Sequence, residues 1–181
     1  SDALELSVTE PMELVISAPA FVCSTDAPIE LTTDDTYSGD WTSVDCTNCL
    51  SNSGSFDAQG AGTGNIEVTY NSSGPCATTA SAIIEVILTP NSNFNDFSAC
   101  EGGGEGLMTA DETGGTWSAE CGTCADASGL FDTQLADVGD WQVTYAIDGL
   151  CPSSSSGSFT VTPNLSSAFS LPTSLCANAP T

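Results

Sequence analysis

A chain of 181 residues with 24 Asp and Glu, no Lys, Arg or His, and a formal net charge of −24 has only negative charged side chains at neutral pH. Such a field repels phosphates and anionic lipid and has nothing with which to neutralise them, which excludes nucleic-acid binding and polybasic attachment to membranes. The imidazole and amine on which most acid–base and Schiff-base catalysis rests are also missing, leaving carboxylates, thiols or a metal as the remaining chemistry.

With 40% hydrophobic and 13% charged residues, the composition is that of a folded protein rather than an acidic tail. No apolar run is long enough to span a membrane, and no basic and apolar leader opens the chain, so any signal has been removed or lies outside it. Residues 1–11 read as the end of a repeat, because Leu6-Ser7-Val8-Thr9-Glu10-Pro11 resembles Ile87-Leu88-Thr89-Pro90 and Phe159-Thr160-Val161-Thr162-Pro163. A full repeat follows at 12–90, with strands predicted at 12–17, 29–33, 40–44, 55–58, 65–71 and 77–88. A second occupies 91–163: Trp41 recurs as Trp117, Phe56-Asp57 as Phe131-Asp132, and Val68-Thr69-Tyr70 as Val143-Thr144-Tyr145, a period of about 75 residues. Its clearest strand is 140–147, where Trp141, Val143, Tyr145 and Ile147 share one face. Residues 164–181 restart the pattern, Cys176-Ala177-Asn178-Ala179-Pro180 echoing Cys23-Ser24-Thr25-Asp26-Ala27-Pro28.

Apolar residues alternate with period two, and Gly, Asn, Ser and Asp clusters interrupt them roughly every 8 to 12 residues, which predicts an all-β chain of tandem immunoglobulin-like β-sandwich repeats. Asp137-x-Gly139-x-Trp141-x-Val143 has the shape of an immunoglobulin F strand, with Trp at the tyrosine-corner position and Val where Cys is usual.

The 9 cysteines fall into four per repeat plus Cys176. Three pairings per repeat are open on sequence alone. The expectation is long staples Cys23–Cys76 and Cys100–Cys151, with local bridges Cys46–Cys49 and Cys121–Cys124. Zinc would require both cysteine pairs of a repeat to converge, and a redox C-x-x-C would require a helix N-terminus or cation, so structural cystines in an extracellular protein are preferred.

The other candidates are weaker. Asp34, Asp35, Asp111 and Glu112 form acidic loops that could hold Ca2+, although no EF-hand or RTX spacing is present. Asp57 and Asp132 read as turn residues that bond their own backbone. Trp41 and Trp117, with Tyr70 and Tyr145, read as core rather than as sugar-stacking platforms. Asn71-Ser72-Ser73 and Asn164-Leu165-Ser166 match the glycosylation sequon. No constellation reaches the standard of a catalytic site, and the chain reads as a non-enzyme.

Gly114-Gly115-Thr116-Trp117-Ser118, Gly129-Leu130-Phe131-Asp132, Val138-Gly139-Asp140-Trp141-Gln142-Val143-Thr144-Tyr145 and Cys151-Pro152 carry a resemblance. In the first repeat it rests on Gly39-Asp40-Trp41, Phe56-Asp57 and Val68-Thr69-Tyr70. The chain resembles the Ig-like repeats of giant secreted surface adhesins of Bacteroidetes-type bacteria, including gliding-motility adhesins exported by the type IX secretion system. The resemblance implies a non-catalytic stalk or filament at the cell surface whose partners are neighbouring repeats, with polysaccharide or protein ligands gripped by other domains. The C-x-x-C pairs and the absence of cations depart from that family. A carbohydrate- or protein-binding module is the alternative, together with a polymerising fibre subunit that completes sheets in its neighbours by strand exchange.

Overall fold

The computed structural model describes residues 13–74 and 76–165. Met12, Pro75, Cys176 and the partial repeat read at 1–11 lie outside the described residues, as does the restart after residue 165. The chain divides into two compact units, Ser1–Ser92 with Ala146–Ser153, and Asn93–Tyr145 with Ser154–Thr181.

The first unit contains, in chain order, β1 (Ile16–Ser17), β2 (Phe21–Cys23), β3 (Ile29–Glu30), β4 (Thr32–Thr33), β5 (Gly39–Thr42), β6 (Ser55–Phe56), the single turn α1 (Ala58–Ala61), β7 (Gly64–Ser72) and β8 (Thr79–Ile87). Its main sheet has the order β2-β8-β7-β5, and the pairs β1-β4 and β3-β6 supply the other layer. Period-two alternation fixes the faces: Ile66, Val68 and Tyr70 of β7 and Ile84 and Val86 of β8 are buried, while the intervening Glu67, Ile83 and Glu85 are exposed. These side chains join Val22 and Trp41 against Leu31, Cys49, Phe56 and Ala58 in one core. Each large side chain sealed there contributes about 1.5–3 kcal/mol. The architecture is the predicted β-sandwich.

Several predicted strands are shorter in the structure, each for a local reason. The stretch 29–33 breaks at Leu31, whose amide turns to the Gly54 carbonyl at 2.8 Å, so that β3 pairs with β6 and β4 with β1. The stretch 40–44 stops at Thr42 because side chains replace the ladder: Ser43 Oγ donates to the Glu67 carbonyl and the Glu67 amide donates to Asp45 Oδ2, both at 2.7 Å. Val44 is left 92% exposed. The stretch 55–58 ends at Phe56, where Asp57 caps α1 by accepting the Gln59 amide at 3.0 Å. β2 was not expected, since three residues are too few to show an alternation. It pairs in parallel with β8, Cys23 standing opposite Ile87.

The second unit follows the same plan with β9 (Phe97–Cys100), β10 (Glu105–Leu107), β11 (Thr116–Ala119), β12 (Leu130–Asp132), β13 (Gly139–Ile147) and β14 (Ser153–Thr162). Its main sheet has the order β11-β13-β14-β9, and β10 pairs with β12. β9 again runs parallel to the last strand, with Cys100 opposite Thr162. Met108, Trp117, Phe131, Val143, Tyr145, Phe159 and Val161 are buried.

Candidate functional site

Six of the described cysteines are paired in three disulfides, and the expected long staples require correction. Cys23 is bonded to Cys151, with Cα atoms 5.5 Å apart, not to Cys76. Cys100 is exposed and in no disulfide, so the expected Cys100–Cys151 bridge is absent as well. The parallel edge strand gives the reason. Cys23 lies where β8 ends, whereas Cys76 lies in the turn before β8 begins, and nine strand residues at ~3.3 Å each put roughly 30 Å between those ends. A disulfide tolerates a Cα separation of no more than about 7 Å. The same holds for Cys100 at the end of β14 and Cys151 in the turn before it.

The C-x-x-C pairs close as local bridges, Cys46 to Cys49 and Cys121 to Cys124. Each fixes the loop beside a buried phenylalanine. Cys49 and Cys124 are buried, and their carbonyls accept the amides of Asp57 and Asp132 at 2.7 and 2.8 Å. Leu50 and Ala125 then bridge to Phe56 and Phe131. Trp41 and Trp117 lie in these cores, 5.0 and 4.7 Å from the rings of Tyr70 and Tyr145. A glycine at positive φ packs on each indole: a Cβ on Gly54 would meet Trp41 Nε1 at 2.8 Å, and one on Gly129 would meet Trp117 Nε1 at 2.8 Å. This Gly–Trp contact was not singled out from the sequence, although both glycines recur in the same frame.

The acidic loops are engaged with the backbone. Asp34 Oδ1 accepts the Val15 amide at 2.8 Å. Asp35 accepts the Tyr37 amide at 2.9 Å and the Tyr70 hydroxyl at 3.1 Å. Hydrogen bonding from the Ser72 hydroxyl, then from the Tyr37 amide, holds the Asp35 carboxyl below the usual aspartate range. Burial, followed by the Asp35 hydrogen bond, pushes the Tyr70 phenol above its ordinary value. In the second unit the Asp111 amide donates to the Asn93 carbonyl at 2.8 Å, and the Glu112 carbonyl accepts the Tyr145 hydroxyl at 2.8 Å. Among the described residues, no three Asp, Glu, His or Cys side chains converge as ligands for a metal ion. Asp57 and Asp132 accept the amides two residues on, at 3.0 and 2.8 Å. Asn71 of the first sequon lies in β7, its amide donating to Thr42 Oγ1 at 3.4 Å, and Asn164 is exposed.

One surface groove in the second unit combines an aromatic ring with carboxylates. Trp141, half-buried, lines it with Asp96, Glu120, Asp140, Gln142 and Ser156. The indole Nε1 donates to the Asp137 carbonyl at 3.0 Å, closing a corner like the tyrosine corner of immunoglobulin strands. Asp140 Oδ1 accepts the Thr160 hydroxyl at 2.6 Å, and Asp96 Oδ1 accepts the Ser158 amide at 2.7 Å. Asp96 and Glu120 carried no motif, so sequence alone did not assemble this groove.

No protein-family model and no curated protein matches the chain. Solved structures similar to it include Drosophila N-cadherin EC1-4, at 14% identity and a TM-score of 0.40, covering 81% of this chain and 47% of that one. Mouse cadherin-23 EC22-24 is similar at 15% identity and a TM-score of 0.37, covering 83% and 64%. A tri-modular GH5 endo-β-1,4-glucanase from Bacillus licheniformis follows at 12% identity and a TM-score of 0.31, covering 83% and 38%. The chain therefore spans less than two thirds of each of these proteins.

Proposed function

We propose that the chain is a non-catalytic repeat segment from the stalk or filament of a long adhesin on a bacterial surface, with 12–90 and 91–163 as successive spacers. The observation that carries this reading is the Cys23–Cys151 bond, which ties the first cysteine of one sequence repeat to the fourth of the next. A covalent tie between successive repeats suits a fibre under tension and an oxidising exterior. Burial of Trp41, Trp117, Tyr70 and Tyr145 supports the same reading, because these rings serve the cores instead of a ligand. In this reading the protein leaves the cell by the type IX route, serves gliding or attachment, and leaves ligand capture to other domains. The test is immunogold labelling of intact producing cells with antibody raised against this chain. Gold along fibres outside the envelope is expected; label confined to the cell interior would refute the proposal.

The groove around Trp141 favours a second reading, a carbohydrate-binding module. A half-exposed indole flanked by carboxylates is suited to stacking on a sugar ring and accepting its hydroxyls. Titrating the chain with neutral oligosaccharides while following tryptophan fluorescence decides it: a saturable change abolished by Trp141→Ala supports the module, and a flat response removes it.

A further inference from the structure

Both repeats lay a short strand against a buried phenylalanine, but they fill the space beside it differently. Ile29 of β3 stands opposite Phe56, and Gly106 of β10 stands opposite Phe131. Residues directly opposite in an antiparallel pair share a face, and Phe56 and Phe131 are buried, so positions 29 and 106 both face the core. Ile29 packs against the core of the first unit. A Cβ added at Gly106 would meet nothing within 4 Å. A second side chain is cut back as well. Val22, just before Cys23, is 6% exposed, whereas the smaller Ala99, just before Cys100, is only half-buried.

Where these aliphatic groups are missing, the second unit has a cavity of about 160 Å³ lined by Phe97, Ala99, Gly104, Gly106, Phe131 and Phe159. The Phe159 ring packs on both of the others, its centroid 4.7 Å from that of Phe97. The buried Thr133 hydroxyl at the wall is already used, donating to the Gly104 carbonyl at 3.0 Å. Glu105, next along β10, is exposed and by alternation faces away from the core. An apolar cavity of roughly 150 Å³ takes up benzene, because a ring restores the dispersion contacts that the lining atoms lack. Phenylalanine walls favour an aromatic guest through offset and edge-to-face contacts. A net charge of −24 without any cation is unsuited to holding an anion.

We propose that the second unit binds a small, uncharged, single-ring aromatic molecule in this cavity, at a place that the first repeat fills with Ile29 and Val22. The cavity shares no lining residue with the groove at Trp141. It is also independent of the stalk reading, since a spacer without a ligand is still a spacer.

The test titrates the isotope-labelled 181-residue chain with toluene and, separately, with benzoate, following backbone amides by NMR. Toluene should give saturable shifts centred on residues 97–107 and 131–133 and on Phe159. Benzoate, of similar size but anionic, should bind at least about tenfold more weakly. Gly106→Ile restores the side chain of the first repeat on backbone that is not left-handed. It should abolish the toluene response and raise the melting temperature of the second unit. Ala99→Val fills the β9 wall with a smaller group, should weaken toluene binding, and carries the test if Gly106→Ile does not fold. The proposal is overturned by the absence of a saturable toluene response, by toluene affinity unchanged in the folded filling variant, or by benzoate binding as tightly as toluene.

Discussion

Removing the Cys23–Cys151 bridge by the double substitution Cys23→Ser/Cys151→Ser should lower the stability of the first unit, whereas Cys100→Ser should leave both units unchanged. The magnitude follows from loop closure. The bridge spans a sequence separation of 128, which on the chain-entropy estimate is worth about 5 kcal/mol. If the second unit stays folded while the first unravels, the flexible part of the loop shrinks to roughly 70 residues and the contribution falls to about 4 kcal/mol. For a unit of this size each kcal/mol moves the midpoint by at least about 4 °C, so the double variant should melt about 20 °C lower. Differential scanning calorimetry at low concentration without added oxidant would resolve the two transitions. Serine replaces both partners, leaving no lone thiol to pair elsewhere. Pairing inside each repeat would instead make Cys100→Ser as damaging to the second unit as the double variant is to the first. A drop in Cys100→Ser comparable to that in the double variant would therefore refute the connectivity and the strand-length argument behind it.

Gly54→Ala should cost several kcal/mol, because it adds left-handed backbone strain of order 1–3 kcal/mol to contacts at 2.8 Å with Trp41 and 2.9 Å with the Leu31 carbonyl. Gly62→Ala, at φ +76° with nothing nearby, should show only the strain; equal urea midpoints for the two variants would contradict the indole contact. Asp126 accepts the Ser128 hydroxyl and the amides of Ser128 and Leu130 at 2.7, 2.9 and 3.0 Å, and its carboxyl is held below the usual aspartate range, chiefly by the Ser128 hydroxyl. Because the folded-state pKa is depressed, the stability it supplies is complete above the unfolded value of about 4 and fades as pH falls through the lower folded value. The stability gap between the wild type and Asp126→Asn, measured by denaturation from pH 7 to 2.5, should thus narrow on acidification; a gap that widens would reverse the assignment. Raising NaCl from 10 mM to 0.5 M should increase the melting temperature, since screening relieves repulsion among charges that sum to −24 and there is no side-chain ion pair to weaken. A fall in melting temperature would show that repulsion does not limit stability.

The repeat frame was legible because each recurring word answers one local constraint. Trp41 and Trp117 fill equivalent places beside Tyr70 and Tyr145, and Cys49 and Cys124 brace Phe56 and Phe131. Alternation also placed β7 and β13 and their buried faces, since nine residues carry the period clearly. The long cystine was not legible, because cysteine spacing records distance along the chain and not the end of the sheet that a residue occupies. That end is set by the parallel pairing of β2 with β8, a contact made by three residues and carrying no periodic signal. The groove at Trp141 was hidden for a similar reason: Asp96, Glu120 and Ser156 come from separate segments that only the folded sheet brings together.

The missing cations explain what the carboxylates do. Without Lys, Arg or His to receive them, Asp side chains turn to backbone amides: Asp26 to Cys23, Asp34 to Val15, Asp45 to Glu67, Asp96 to Ser158, and Asp126 to Ser128 and Leu130. A carboxylate accepting an amide is a charge-assisted hydrogen bond, and at a strand end or turn it supplies the partner that the ladder no longer provides. Aspartate suits this task because its short arm reaches the amide two or three residues away, as at Asp57, Asp126 and Asp132. Acidity that would be a liability for compactness is thus spent in fixing where strands stop, as β5 stops beside Asp45. Turns of this kind, the bridges Cys46–Cys49 and Cys121–Cys124 and the cystine Cys23–Cys151 hold the fold in a chain that has no Lys, Arg or His to form a salt bridge between side chains. Screening by salt therefore leaves these carboxylate–amide bonds without a competing cation to lose, and reduction removes the longest covalent tie, Cys23–Cys151.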